Sequence, residues 1–323
     1  MPTRTAPDRC PGALRVHAAA DGGLVRIRVP GGVLTASQVA ALAGASAALG
    51  DGNLDLTSRG NIQLRGLSDR DALLDALLAA QLLPSPAHDT ARNIVASPLS
   101  ALPVAELDAE LCADPILAAL PGRFLLGLDN GSGDIQALGP DLSIQGPDLV
   151  LGGRLAGPAT IADLLAAARA FMDLRTSEWR LAEVPDGAVR VAASLGRSLG
   201  PAAVTGSPVA VGVHGDKIVA QVPFGRLTPV HLAALGDIVI TPWHSVVVAV
   251  GTDLTHFVTD PTSPWIGLSA CVGTQCASAL ADVRADAVPG STPTHWSGCA
   301  RRCGKPAGSR DVVATEHGYQ VLS

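Results

Sequence analysis

Aromatic side chains are scarce in this chain, with four Phe, four Trp and one Tyr among 323 residues. So few stacking surfaces, together with a formal net charge of −6, leave no general reason to bind nucleic acid. Long apolar runs are missing too. The longest, LLDALLAAQLL at residues 73 to 83, is short and interrupted by Asp75, so no membrane span is expected. The opening residues, MPTRTAPDRCPGALRVH, contain no apolar leader core, which predicts a cytoplasmic protein. No Gly-x-Gly-x-x-Gly stands between a strand and a helix, so no nicotinamide site is expected in the chain.

Cysteine is also rare, six in all, and four of the six are clustered near the end. Cys271 and Cys276 lie in CVGTQC, Cys299 and Cys303 lie in HWSGCARRC, and 22 residues separate the pairs. A structural zinc site usually takes Cys-x2-Cys in both halves, and neither pair has that spacing. Two disulfides are a further option, for which a chain of this length in a reducing compartment has no need. Small residues crowd both pairs (Gly273, Ala277, Gly298, Ala300, Gly304), letting backbone amides approach sulfur and donate to it. The pattern favours the ligand set of one iron–sulfur cluster.

A second signal is internal duplication. Residues 29 to 42 read VPGGVLTASQVAAL and residues 222 to 235 read VPFGRLTPVHLAAL, identical at eight of fourteen positions without a gap. Each copy follows an alternating strand-like stretch (GGLVRIRV, SPVAVGVHGDKIVAQV) and precedes a strand ending at a threonine (LDLTSRGNIQLRG, IVITPWHSVVVAVG). Thr35 and Thr228 fall where helix N-caps are needed, just after a Pro/Gly turn. Between the copies, the periodicity predicts helices over residues 70 to 83, near 103 to 119, and in PATIADLLAAARAFMDL. The Asp/Asn/Gly cluster of PGRFLLGLDNGSGDIQ predicts a hairpin. The expected order is a half-domain (1–95), an α/β unit (96–205), a second half-domain (206–258) and a cysteine-bearing α/β unit (259–323).

This order, with cysteine pairs at its end, resembles the nitrite/sulfite reductase superfamily over nearly the whole chain. The segments that carry the resemblance are VRIRVPGGVLT, LTSRGNIQLRG and RNIVASPLS. It implies an α+β fold in which duplicated ferredoxin-like half-domains pair into one domain, flanked by two α/β units around a tetrapyrrole. It also implies that Cys271, Cys276, Cys299 and Cys303 hold a [4Fe–4S] cluster. A uroporphyrinogen-derived macrocycle carries a ring of acetates and propionates, so its site needs several guanidinium or ammonium groups. Arg26 and Arg28 alternate along one strand face, and Arg59, Asn61, Gln63 and Arg65 are expected to share another, with Ile62 and Leu64 opposite. Arg92, Asn93 and Arg123 complete the expected carboxylate-binding set.

Within the superfamily, siroheme-dependent reductases hold a small anion with four basic side chains. Three of these positions match Arg26, Arg92 and Arg123, and the fourth, a lysine in that family, is Leu125 here. CPGALRVH, PGRF, GLDNGSGD, ITPW and HWSGCARRCGKP are instead similar to the precorrin-3B synthase family. That resemblance implies an O2-dependent monooxygenase acting on precorrin-3A with γ-lactone formation, in which the tetrapyrrole is substrate. NADH or a reductase partner would supply electrons from outside. A siroheme-dependent nitrite or sulfite reductase is the alternative, and a non-catalytic electron-transfer or tetrapyrrole carrier a second one. The synthase family has also been associated with an additional non-haem iron; His244 and His295 are the candidates, and a hydrogen-bonded structural role is expected for each. Two departures stand out. The family's first pair is Cys-x5-Cys where this chain has four intervening residues, and its arginine after ITPW is His244 here.

Overall fold

The computed structural model describes residues 10–19, 22–306 and 308–322; the first nine residues, read above as part of a leaderless start, lie outside them. Each copy of the duplicated unit builds a five-stranded antiparallel sheet. The first runs His17–Ala19, Gly22–Ile27, Ile62–Leu67, Leu54–Leu56, Arg226–Leu227, and the second runs Gly212–His214, Lys217–Gln221, Ser245–Ala249, Ile238–Ile240, Val33–Leu34. The last strand of each sheet comes from the other copy. Val33 pairs with Val239, and at the matching place across the pseudo-dyad Arg226 pairs with Asp55. Gly32 makes the crossing, since a Cβ there would stand 1.9 Å from the Ile240 carbonyl oxygen.

One apolar core serves both copies, drawing Val25, Ile27, Ile62 and Leu64 from the first sheet and Ala220, Ile240, Val246 and Val248 from the second. Helices Ala36–Leu49 and Arg70–Ala79 cover the first copy, adding Val39, Leu42, Leu73 and Leu77 to that core. Both expected N-caps form. Thr35 Oγ1 accepts from Gln38 N while Gln38 Oε1 accepts from Thr35 N. In the second copy His231 takes the place of that glutamine, its Nδ1 2.7 Å from Thr228 Oγ1 and accepting from Thr228 N.

In LDLTSRGNIQLRG the strand ending at the threonine is Leu54–Leu56, and a second strand, Ile62–Leu67, follows it. Thr57 Oγ1 accepts from Arg59 N and Asn61 N, closing a turn between Leu54–Leu56 and Ile62–Leu67. Thr241 Oγ1 does the same for Trp243 N and Ser245 N. The turn removes Arg59 and Asn61 from the strand, so the expected four-residue polar face contracts to Gln63 and Arg65.

The middle unit is a five-stranded sheet in the order Arg154–Pro158, Asp148–Leu151, Leu142–Gln145, Leu126–Asp129, Ile94–Ala96. The hairpin expected over PGRFLLGLDNGSGDIQ is not formed, because Leu126–Asp129 runs parallel to both neighbours. Asp129 explains the change of direction. Its carboxylate accepts from the amides of Gly131, Gly133, Ile135 and Gln136, winding the Gly-rich segment into a 3-10 turn that leads to a crossover. The helix expected near 103 to 119 stops at Ala113, where Asp114 accepts from Ile116 N and a separate 3-10 turn follows. Helix Ile161–Leu174 forms as expected and stacks Phe171 on Phe124 at 4.4 Å.

The last unit is a four-stranded sheet, Leu268–Ala270, Thr294–Ser297 and Arg310–Thr315 in parallel with Gly318–Leu322 antiparallel at the edge. No helix among the described residues is long and apolar enough to cross a membrane.

Candidate functional site

The strand Gly22–Ile27 and its continuation carry two arginines with unequal surroundings. Arg26 donates from Nη2 to Gln63 Oε1 of its cross-strand partner at 2.7 Å, and its Nε is buried without a hydrogen-bond partner. Arg28 is only 2% exposed, the largest fully buried side chain among the described residues. Its Nη1 and Nη2 make long bonds to Asn93 Oδ1 (3.4 Å) and the Gly122 carbonyl (3.3 Å), and its Nε has none. Burial, and then the charge of Arg26, pull the Arg28 guanidinium down to about 10.

Arg59 reaches across from the Thr57 turn, donating from Nη1 to the Arg123 carbonyl at 3.1 Å, and is lowered by burial and then by the charge of Arg180. Arg123 is exposed and lies 5.1 Å above the Trp179 ring. Arg180 pairs with Asp141 at 2.7 Å, whose own carboxyl is pushed up by burial. Five guanidiniums thus gather where the first half-domain meets the middle unit, and Asp141 is the one carboxylate paired among them in the described residues. Arg28 is buried and Arg26 and Arg59 half-buried without a paired carboxylate among the described residues, which is costly, so such a cluster suits a polyanionic ligand.

Four of the nine residues expected to bind carboxylates are otherwise engaged. Asn61 is fully buried, accepting from Val29 N (3.0 Å) and donating to Asn93 Oδ1 (3.1 Å), while Asn93 donates to the Phe124 carbonyl (2.9 Å). These asparagines brace the wall behind Arg28. Arg92 is held in a two-pronged ion pair with Asp108, both bonds 2.7 Å, and its Nη1 donates to the Leu82 carbonyl. Arg65 donates to Asp55 Oδ2 at 3.1 Å. Arg26, Arg28, Arg59, Gln63 and Arg123 remain on the gathered surface. Arg180 was not among the expected residues, since SEWRL lies in no repeated or recognised segment.

The cysteines leave the ends of two parallel strands. Cys271 directly follows Leu268–Ala270, and Gly298-Cys299 follows Thr294–Ser297. Gly298 N donates to Cys271 Sγ at 3.1 Å, and a Cβ on Gly298 would press 2.9 Å from that of Ala279. The four-residue loop is spanned by a 3-10 turn, Gly273–Gln275, with Gly273 at φ 66° and Cys276 N donating to the Gly273 carbonyl. None of the six cysteines is in a disulfide, and Cys303 is raised first by partial burial and then by the charges of Cys299, Cys271 and Cys276. Cys303 close enough to feel the other three thiols, with an amide donated to the Cys271 sulfur, suits an iron–sulfur cluster. Among the described residues no group of three or more His, Cys, Asp or Glu is arranged for a single metal ion. The histidines raised as iron ligands have other surroundings. His295 is buried, with Nδ1 2.9 Å from Ser269 Oγ, and His244 is half-buried against Gly225.

Asp55 joins the two regions. It accepts from Arg226 through both oxygens (2.8 and 3.1 Å) and from Arg65, and Arg284 Nη2 stands 3.7 Å away. Arg284 Nε in turn donates to the Cys271 carbonyl, and Gln275 Nε2 donates to Asp51 Oδ2. Although burial opposes ionisation of Asp55, the Arg226 bonds and the surrounding guanidiniums hold its carboxyl below the usual range.

Residues 17–80 match the family model described as the nitrite/sulfite reductase ferredoxin-like half domain. The solved structure of the Mycobacterium tuberculosis NirA protein superposes with a TM-score of 0.66 over 93% of this chain and 74% of that one, at 18% identity. The chain has the nitrite/sulfite reductase fold. A precorrin-3B synthase from Sinorhizobium sp is similar at 27% identity, over 97% of this chain and 82% of its own length. A ferredoxin–nitrite reductase from Synechococcus elongatus is similar at 26% identity, over 88% of this chain and 74% of its own. Within the nitrite/sulfite reductase fold, the gathered guanidiniums lie at the first half-domain and the thiols in the last unit, with the Asp55 ion-pair group between the half-domain and Cys271.

Proposed function

We propose that the protein is an O2-dependent monooxygenase of the precorrin-3B synthase kind, which hydroxylates precorrin-3A and closes a γ-lactone in aerobic cobalamin biosynthesis. The observation that carries this reading is the loss of the four-cation anion site that siroheme reductases need. Arg92 is neutralised by Asp108, and Leu125, at the lysine position, is 1% exposed in the core. A nitrite- or sulfite-sized anion would find only Arg26 and Arg123 of the four. The remaining arginines, spread over the half-domain and the middle unit, suit a broad polycarboxylate instead.

In this reading Arg26, Arg28, Arg59 and Arg123, with Gln63 and Arg180, bind acetate and propionate groups and fix the macrocycle's orientation. Each bound carboxylate also relieves the repulsion among these gathered cations. Cys271, Cys276, Cys299 and Cys303 would hold a [4Fe–4S] cluster, which supplies one-electron relay when bound. One atom of O2 enters the product and the other leaves as water, with two electrons and two protons derived from NADH or a reductase partner. The second reading, siroheme-dependent nitrite or sulfite reduction, draws on the likeness to the Synechococcus elongatus enzyme.

Iron and sulfide quantification with the optical spectrum of anaerobically purified protein separates the two. A broad cluster absorption without a siroheme band is expected, and bound siroheme would overturn the synthase reading. Turnover of precorrin-3A under labelled O2 should then add one oxygen atom to the product mass. Cys299→Ser should abolish the cluster absorption while leaving the far-UV circular dichroism of the duplicated core intact.

A further inference from the structure

Cys10 and Cys112 lie outside the two cysteine pairs, and neither has a part in the reaction. Their surroundings are opposite. Cys112, near the end of helix Val104–Ala113, is half-buried against the apolar core of the middle unit, its thiol pushed up by burial and then by the charge of Asp108. Cys10 is also half-buried, but it heads a segment tied down on the first half-domain. Arg26 N donates to the Gly12 carbonyl at 3.2 Å, and the Asp89 carboxylate accepts from Ala13 N (3.1 Å) and Leu14 N (2.9 Å). The fit is close, since a Cβ on Gly12 would stand 2.1 Å from Asp89 Oδ2. This brings the Cys10 sulfur within electrostatic reach of three guanidiniums. The pKa values of Arg26, Arg28 and Arg59 are lowered chiefly by burial, and the charge of Cys10 opposes that lowering in all three. Arg26 and Arg28 each keep a buried Nε without a hydrogen-bond partner, and Arg28 is only 2% exposed. One thiol therefore stands among cations that are short of anions, while the other stands in an apolar wall beside a carboxylate.

We propose that Cys10 is a covalent modification site, at which a small disulfide bearing carboxylates forms a mixed disulfide that covers the carboxylate-binding surface. The proposal rests on the reading of Arg26, Arg28 and Arg59 as that surface. Neighbouring guanidiniums favour the thiolate of a cysteine over its thiol, and the thiolate is the attacking species in disulfide exchange. The same cations bind the carboxylates of the incoming disulfide and raise its concentration at the sulfur. In the exchange the Cys10 thiolate attacks one sulfur of the small disulfide. A new S–S bond forms to that half, the old S–S bond breaks, and the other half leaves as a thiolate that takes a proton from water. The small disulfide is itself the two-electron oxidant, and an excess of ordinary thiol reverses the step, as suits a transient modification in a reducing compartment. A surface built for a polycarboxylate is thus closed by a smaller one, in proportion to how oxidised the surrounding thiol pool is.

The test treats the anaerobically purified full chain with oxidised glutathione, which carries carboxylates, or with the neutral bis(2-hydroxyethyl) disulfide. Peptide mass spectrometry reads Cys10 and Cys112 in the same digest, so Cys112 is an internal control. At pH 7 and low salt oxidised glutathione should modify Cys10 about ten-fold or more faster than Cys112. Its advantage over the neutral disulfide at Cys10 should shrink several-fold between about 20 and 300 mM salt, and Arg59→Gln with unchanged circular dichroism should slow it by about three-fold or more. Uroporphyrin, a polycarboxylated macrocycle, should protect Cys10. Protein modified at Cys10 should bind uroporphyrin about ten-fold or more weakly until an added thiol restores it, whereas Cys10→Ser protein should bind equally with and without the treatment. Equal modification of Cys10 and Cys112, or a rate at Cys10 indifferent to salt and to the charge of the disulfide, would overturn the site. Charge-steered modification of Cys10 that uroporphyrin does not slow would leave the site standing and remove the reading of this surface as tetrapyrrole-binding instead.

Discussion

Gly31 and Gly60 of the first copy have φ of 59° and 65°, and at the matching places of the second copy Phe224 and His244 take 55° and 59°. The backbone repeats, while the side chains do not. Where Gly31 lies against Val104 and Ala96 of the middle unit, Phe224 sets its ring edge-on to Trp265, 5.7 Å away, on the way to the last unit. Arg26, Arg28 and Arg59 of the first copy correspond to Val219, Gln221 and Trp243 of the second. The exchanged strands diverge in the same sense, with a valine pair on one side of the pseudo-dyad and the Arg226–Asp55 ion pair on the other. One copy has kept small residues and free cations, which leave room and charge for a ligand. In the other, Phe224 reaches Trp265 of the cysteine-bearing unit and Trp243 packs against Val95, Leu125 and Ile135, and each left-handed non-glycine residue costs roughly 1–2 kcal/mol.

The sharpest way to break this comparison is at the exchanged strands. Asp55→Ala leaves Arg226, Arg65 and Arg284 buried around a missing carboxylate and should lower the urea unfolding free energy by about 3–5 kcal/mol. Val33→Ala, on the opposite side and 52% exposed, should change it by less than about 0.5 kcal/mol. Equal losses would mean that the two sides are not differentiated.

Ligand binding is the next measure. Arg59→Ala should weaken carboxylated tetrapyrrole binding by about 1.5–3 kcal/mol, the worth of a charged hydrogen bond, while Gln221→Ala in the second copy should leave it unchanged. A fluorescence titration with the tetrapyrrole reads both.

Of the two copies, it is the second on which mild acid, between pH 7 and 5, should act. His231 and His244 are kept neutral chiefly by burial, their pKa values lowered from 6.5, and the first copy has Gln38 and Gly60 at those places. The unfolded chain therefore binds more protons than the folded one below about pH 6.5, and stability falls as pH drops through that value toward the lowered folded pKa values. Each histidine contributes a slope of up to about 1.4 kcal/mol per pH unit, and His244→Gly should remove one such contribution from the urea midpoints measured between pH 7 and 5. At pH 7 the same substitution should be near neutral or stabilising by up to roughly 1 kcal/mol, because glycine accepts φ of 59° without strain. Gly60→Ala should do the reverse, destabilising by a similar amount.

Much of the duplicated architecture was legible because it rests on local rules: the VP-x-G turn, the threonine cap and alternation along single strands. The polar assignments fared less evenly because their partners are remote in sequence. Arg92 reads as a ligand in RNIVASPLS, and only the fold brings Asp108 onto it from the next helix. Arg65 likewise meets Asp55 ten residues earlier, in a hub completed by Arg226 and Arg284 from far along the chain. The hairpin in the middle unit was misread for a different reason. A Gly-rich turn signal is the same for a reversal and a crossover, and the four amides gathered on Asp129 decide between them.

The swapped edge strands also bear on how the chain comes off the ribosome. Leu54–Leu56 cannot be capped until Arg226–Leu227 has been made, and the Arg226–Asp55 contact spans 171 residues. At ordinary synthesis rates that interval is on the order of ten to thirty seconds. During it the first sheet stands with an open edge, a template for pairing with other nascent chains. The duplication therefore makes the early half of the molecule a natural client of chaperones, and truncation before residue 226 should yield an insoluble rather than a merely inactive fragment.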